Sequence, residues 1–456
     1  MIQKIKKILL SKDDLFYKIL LITIGIFFFF FVGEDKGYVL QKDSPSYLEG
    51  DMAVGIMPIY PGFLKFQKCI FGEDRFLDAT MIVQGIVAIF CSIYLAEILG
   101  RVIKLKKRQI TIIYILSFLP YAYSLPQNVV SHEIMTEALA FPLLYLYYSL
   151  ILEGILNRNI KKINISVILL IVLLGLRKQF LFLFFVNIIV YLWYFLSQRK
   201  VQKRLLMYGI SLFAILGGVV IIGSINFPKV WSVFDGSQIV DALIGKTIYV
   251  SDIDDIELFE KEELKGAFES LYSFAEEGER LLEYAENYNG ERWVHVTEGM
   301  NQITANSWPI LYDYCSKNSI EYEYIESIQT ELMCTLLIHH WDDLIIIFGD
   351  LIMQSLVSAV FIKKTEWYTA CKIIAMLIYI LGVILRLLCR RSKDQTRSVC
   401  IVFDLTMLIL LSNIFILNLI FMGLQRYVVY TFGLFYIALY LMFMKLREKE
   451  SSIKIN

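Results

Sequence analysis

The chain is divided into apolar runs as long as a bilayer is thick. "KILLITIGIFFFFFVG" (Lys18–Gly33) is the first, and comparable runs recur toward the C-terminus. A hydrocarbon core about 30 Å thick is crossed by a helix of roughly 17–25 mostly apolar residues. Lipid offers the backbone no hydrogen bonds, so such runs fold as spanning helices that satisfy their own amides and carbonyls. Composition agrees: of 456 residues, 57% are hydrophobic and 19% charged, against roughly 45–50% and about 25% in soluble domains. The predicted fold class is all-α, a polytopic membrane helix bundle of about ten spans with a small helical exterior domain.

The spans are expected near 16–33, 78–99, 109–124, 135–152, 165–176, 179–197, 205–223, 368–388, 399–420 and 427–446. Lys and Arg are enriched in cytoplasmic loops. Lys4, Lys6, Lys7 and Lys12 open the chain, and "RVIKLKKR", "NRNIKK", "QRKVQKR", "CRRSKDQTR" and "KLREK" make every second junction basic. Both termini are therefore expected on the cytoplasmic side of a multi-pass protein, and the Ile, Lys, Tyr and Phe usage fits a bacterial plasma membrane. The N-terminal run has no small-residue cleavage site and reads as an uncleaved anchor. "WDDLIIIFGDLIMQSLVSAVFIKK" (341–364) is long enough to span, but Asp342, Asp343 and Asp350 favour an interfacial or partly packed helix, since a carboxylate at mid-membrane costs roughly 2.5–3.5 kcal/mol. Three regions follow: 1–223 with a first exterior loop at 34–77, an acidic helical region at 224–340, and a C-terminal membrane region at 341–456. In the acidic region, Leu258, Leu264, Phe268, Leu271, Phe274, Leu281 and Leu282 recur near helical spacing, and "NYNG" reads as a turn. Asp252, Asp254 and Asp255 lack the glycine and distal glutamate of a calcium loop and read as a solvated helix start. The seven cysteines are scattered, and Cys69 and Cys315 are the one pair on the expected exterior side, more naturally unpaired than bridged.

Polar groups gather at three expected exterior span ends. The first is "QKDSPSYLEGDMAVGIMPIYPGF" (41–63). Pro45 is expected to bar Ser44 from helical geometry, Pro58 and Pro61 begin the next element, and Asp43 and Asp51 stand between turn formers beside Tyr47 and Tyr60. These acids are either solvated loop residues or a general base. The second is "NVVSHEIMTEALAFPLLYLYY", where Glu133 and Glu137 are spaced to share a helix face near His132. With Asp43, this set could hold a divalent metal through oxygen ligands and one imidazole, or be an ordinary hydrated cap. The third is a set of cations on the side the charge rule leaves poor in them: Arg177 and Lys178 in "LGLRKQFLFLF", and Arg426 in "GLQRYVVYTFGLFYIAL". Guanidinium binds paired phosphate oxygens, so a lipid phosphate, an acidic exterior segment or the headgroups would hold them.

"DSPSYL", "MPIYPGFLKF", "FGEDRFLDATMIVQGI", "TEALAFPL" and "QRYVVY", in this order and sidedness, resemble the GT-C superfamily of membrane glycosyltransferases, which includes the protein O-mannosyltransferases and the bacterial aminoarabinose transferases. The resemblance implies transfer of a sugar from a polyprenyl-phosphate donor to an exterior acceptor, a glycan, lipid or protein. It implies Asp43 as base with Asp51 in reserve, and Arg426 and Arg177 beside the leaving phosphate. The paired acids of the O-mannosyltransferases have a counterpart only at Glu34 and Asp35, which adds Asp35 as a candidate base. The alternatives are a polysaccharide polymerase or a transporter of lipid-linked glycans; the latter would favour mid-span charges or broken helices in two similar halves, neither of which the sequence carries.

Overall fold

The computed structural model describes residues 12–49, 57–197, 209–210, 217, 236–286, 288, 291–361, 368–390, 396–420 and 423–453. Among these the fold is all-helical, with a single isolated bridge between Val39 and Glu133 in place of any strand. The α-helices are α1 (Lys12–Phe31), α2 (Ser44–Glu49), α3 (Ile59–Phe71), α4 (Phe76–Ile103), α5 (Lys107–Leu116), α6 (Glu137–Leu156), α7 (Ile160–Leu176), α8 (Phe182–Ser197), α9 (Gly236–Val250), α10 (Glu262–Glu277), α11 (Arg292–Lys317), α12 (Ile325–His339), α13 (Trp341–Val360), α14 (Tyr368–Arg390), α15 (Arg397–Ile420), α16 (Gln425–Val428) and α17 (Phe432–Ile453).

Among the described residues, seven helical segments are long and apolar enough to cross a membrane, at Phe76–Ile103, Glu137–Leu156, Lys178–Leu196, Trp341–Val360, Thr369–Arg390, Arg397–Leu419 and Gln425–Glu448, and Leu15–Phe31 is a shorter apolar helix. This is the pattern of a multi-pass membrane protein. Several expected spans differ in detail. The run at 109–124 is helical only to Leu116 and continues as a 3-10 turn over Leu119–Ser124, because Pro120 has no amide to donate into an α-helix. Within the segment at 341–364, Trp341–Val360 forms an unbroken apolar helix, α13, which meets the length and hydropathy of a span. The span at 205–223 falls outside the described residues apart from 209–210 and 217, and "NYNG" does so apart from Tyr288.

The chain divides into two compact units: Met1–Trp231, Gly382–Ile409 and Tyr430–Asn456 form one, Ser232–Leu381 and Leu410–Val429 the other. Helix α13 groups with the preceding acidic segment in the second unit. In the first unit, α4 packs along α6 and α6 along α7. Helix α6 is buried on nearly every face, with Tyr145, Tyr147 and Tyr148 all enclosed. Tyr145 donates to the Ser117 carbonyl at 2.8 Å and Tyr148 to that of Val402 at 3.0 Å, so each phenol meets a helix backbone rather than lipid.

In the second unit, Ile244, Ile248, Phe268, Leu271, Met300, Leu332, Leu336, Ile347 and Leu351 from α9 to α13 close one hydrophobic core. Leu264, Phe268 and Leu271 line the inner face of α10 as their spacing predicts. The helix stops at Glu277, however, and Leu281 reaches the core from beyond its end. Lys246 is buried and donates to the carbonyls of Asn418, at 2.8 Å, and Leu419, at 3.3 Å, at the C-terminus of α15. Those carbonyls have no intrahelical partner, so the ammonium caps the helix. Burial pushes the Lys246 ammonium down to about 7, while an unfolded lysine titrates near about 10.4. Between these values the unfolded chain carries the extra proton, so stability rises with pH across that window and is lost as pH falls toward the folded value. Thermal unfolding of the detergent-solubilised protein at successive pH values is expected to show that rise, and Lys246→Met to flatten it.

Candidate functional site

The site is built where α1 ends and α6 begins. Leaving α1, the chain is stitched to the stretch before α6 by backbone bonds. The Glu34 and Asp35 amides donate to the Gln127 carbonyl, both at 2.9 Å; the Val39 amide donates to the His132 carbonyl at 2.8 Å, and the Ile134 amide to that of Val39 at 2.9 Å. The buried Ser44 hydroxyl accepts from the Gln41 amide at 2.7 Å and donates to the Ile134 carbonyl at 3.0 Å. These bonds set Asp43 at the start of α2.

Pro45, Pro58 and Pro61 fall where their missing amides cost least. Helix α2 begins at Ser44 itself, with Pro45 in its first turn, so the expectation that Pro45 excludes helix at Ser44 is corrected. Pro58 caps α3 and Pro61 lies in its first turn, and both are spared because a helix's first four amides have no internal acceptor. Tyr60, Pro61, Leu64 and Gln67 form the buried stripe of α3.

Gln84, in the middle of α4, is fully buried. It accepts the Tyr60 hydroxyl proton at 2.8 Å and donates its amide to the carbonyls of Ser131, at 2.9 Å, and Glu133, at 3.1 Å. Tyr60 stands edge-on to Tyr47, with ring centroids 5.4 Å apart.

Around Tyr47 the charges meet. Glu137, buried at the start of α6, accepts the Thr136 hydroxyl proton at 3.0 Å and forms an ion pair with Arg177. A carboxylate in the first turn of a helix also meets the positive end of its dipole. Arg177 ends α7 in an extended conformation and donates to the Tyr430 hydroxyl at 3.2 Å. Phe141 and Phe180 pack edge-on to Tyr430. Burial raises the Tyr47 phenol above its ordinary range; Arg177 draws it down, Glu137 pushes it up, the hydrogen bond to Thr136 lowers it and Asp43 raises it. Two carboxylates and one guanidinium thus act on a single phenol. Burial also raises the Tyr60 phenol strongly, with Tyr47, Glu137 and Glu133 adding to the effect. Both rings are neutral donors at physiological pH.

The sequence-derived candidates divide clearly. Asp43 (half-buried), Tyr47, Tyr60, Glu133, Glu137 and Arg177 belong to this neighbourhood. Lys178 is half-buried and opens the 3-10 turn Lys178–Leu181 beside Arg177. Asp35 is exposed, and Asp51 lies outside the described residues. Arg426 belongs to the second unit, where its guanidinium lies 4.8 Å from the Tyr427 ring centroid and donates to that hydroxyl at 2.7 Å.

Glu133 and Glu137 do not share a helix face. Glu133 is extended beside Val39, its carboxylate accepts the Ser124 hydroxyl proton at 2.8 Å, and α6 begins only at Glu137. His132 is enclosed, with Nε2 2.6 Å from the Phe29 carbonyl oxygen. Phe29 is in the last turn of α1, so the imidazole caps that helix rather than a metal. Among the described residues, the ligating groups that do converge are Asp255, His339 and His340 in the second unit, which could hold a metal. Asp255 is buried against His340 instead of being the solvated acid expected from its neighbours.

Sequence reasoning passed over Gln84 and Tyr430. A lone glutamine inside "FLDATMIVQGIV" was the available signal, since polar side chains within a span pair internally. Compared with known proteins, the chain matches no family model, no curated protein and no solved structure.

Removing one member of a buried ion pair strands the other, at a cost of about 3–5 kcal/mol, whereas replacing both with apolar groups is often neutral. Glu137→Leu is therefore expected to lower the unfolding temperature sharply, and Glu137→Leu with Arg177→Met to recover most of the loss. A thermal-shift series on the single and double variants measures this coupling.

Proposed function

We propose that this chain is a membrane glycosyltransferase that moves a sugar from a polyprenyl-phosphate carrier to an acceptor hydroxyl with inversion. The observation that carries the reading is the convergence of Asp43, Glu137 and Arg177 on Tyr47, at the junction of apolar helices. Such a junction suits a substrate that is half lipid and half water-soluble.

In this reading Asp43 is the general base. Its carboxylate takes the acceptor hydroxyl proton as that oxygen bonds to the sugar's C1, and the C1–O bond to phosphate breaks with its electron pair going to the phosphate. A carboxylate in hydrogen-bond reach of the hydroxyl is competent for this step. Arg177 and Lys178 stabilise the departing phosphate. A guanidinium offers five N–H donors in a rigid fork suited to paired phosphate oxygens, and fixed cations at a developing charge need no reorganisation during reaction. Glu137 orients Arg177, and Tyr47 and Tyr60 supply neutral hydroxyls for the sugar. The alternation of basic junctions supports a bacterial plasma-membrane protein with both termini cytoplasmic and the transfer on the opposite side.

The test uses the full chain in lipid nanodiscs, a panel of polyprenyl-phosphate sugars, and release of free polyprenyl phosphate as the readout. Asp43→Asn is expected to slow release by about 10²–10⁴-fold while donor binding persists. Undiminished turnover in that variant would remove Asp43 as the base. No release from any donor by the unaltered protein would remove the transferase reading.

A further inference from the structure

The geometry points to a transition-metal site at the junction of α12 and α13, formed by Asp255, His339 and His340. It lies wholly within the second unit and is independent of the transferase reading. Asp255 comes from the 3-10 turn Ile253–Leu258, His339 ends α12, and His340 caps α13. One ligand atom from each lies within 4.8 Å of the others. His340 Nε2 is 2.7 Å from Asp255 Oδ2, and His339 Nε2 is 3.6 Å from Asp255 Oδ1. Metal bonds of about 2.0–2.2 Å place the ligand atoms of a tetrahedral zinc site about 3.3 Å apart. The two carboxylate–imidazole separations bracket that value, and all three ligand atoms lie within 4.8 Å, so binding a cation asks the two imidazoles to draw together on the carboxylate.

The surroundings have the form that metal ligation requires. A ligating imidazole ordinarily passes its second ring N–H to a carboxylate, and a ligating carboxylate is itself hydrogen-bonded. His340 Nδ1 is 3.3 Å from Asp343 Oδ2 in the first turn of α13, an acceptor for the ring proton once Nε2 turns its lone pair to a metal. Asp255 Oδ2 accepts the Asp252 amide proton at 2.8 Å, which fixes the carboxylate.

Two imidazoles and a carboxylate select a first-row divalent ion such as zinc over calcium or magnesium, which prefer all-oxygen shells. Three protein ligands leave a coordination position open. Solvent reaches the cluster from the His339 side: the Asp255 and His340 side chains are 7% and 12% exposed, and that of His339 is 51% exposed. A bound ion would pin the 3-10 turn to the junction of two helices some 85 residues further along the chain.

The experiment takes the full chain in detergent, without a polyhistidine tag, stripped with a chelator and titrated with Zn²⁺ and Co²⁺. Expected are one ion per chain, the visible d–d absorption of a low-coordinate Co²⁺ centre, and a rise in unfolding temperature on binding. Asp255→Asn and His340→Ala are expected to abolish uptake. Asp343→Asn alters only the partner of a ligand, on a half-exposed residue, and so keeps the fold; it is expected to weaken affinity about 10–100-fold. No uptake by the unaltered protein, or uptake undiminished in Asp343→Asn and His340→Ala, would overturn the site and leave a hydrogen-bonded aspartate–histidine pair, with the free cysteines as the source of any remaining binding.

Discussion

A chain in lipid must satisfy every backbone amide and carbonyl from within, because an unpaired polar group in hydrocarbon costs several kcal/mol. Regular helices meet that demand along their length and fail it at their ends. The first unit is organised around those ends. The His132 imidazole meets a terminal carbonyl of α1, Ser44 and Gln84 hold the carbonyls of the stretch before α6, and the Val39 bridge pairs the chain leaving α1 with that stretch. The same polar groups that close the backbone gather the side chains of the candidate site.

The ion pair between Glu137 and Arg177 follows from the same economy. Two helices, α6 and α7, stop at one level, one presenting the positive end of its dipole and the other an extended arginine. A buried carboxylate alone would be costly there; the guanidinium and the helix start beside it offset that cost. The pair is tied to Tyr47 and Tyr430, so a change in its charge state is felt on both sides. The transfer we propose draws on this arrangement, because a guanidinium already oriented by its neighbours needs no reorganisation during reaction.

Much of the first unit was legible in its residues. Run length located most of the apolar helices, and the proline positions marked where α3 starts. Asp43, Tyr47, Glu137 and Arg177 were legible one at a time, as polar groups where a span should end. What local reasoning missed was imposed by partners distant in sequence. Glu133 has helical spacing to Glu137 but is drawn into extended geometry by Val39, 94 residues earlier. His132 looks like a ligand, and its partner is a main-chain oxygen of α1. Asp255 sits among solvated acids, yet the 85 residues separating it from His340 hide a contact that no spacing rule reveals. The run at 341–364 is ambiguous for a different reason: hydropathy measures burial without saying whether lipid or protein does the burying.

The stitching of residues 131–134 has an evolutionary consequence. Ser131, His132, Glu133 and Ile134 are all held through their main-chain atoms, which every amino acid but proline supplies alike, whereas Ser44 and Gln84 grip them with side chains. Natural variation should therefore fall unequally on the two sides of these bonds. The gripping serine and glutamine should hold fast, while His132 and Glu133 in the gripped stretch answer to the partners of their own side chains, Phe29 and Ser124, so pairwise sequence statistics would pass over one of the closest associations in the molecule.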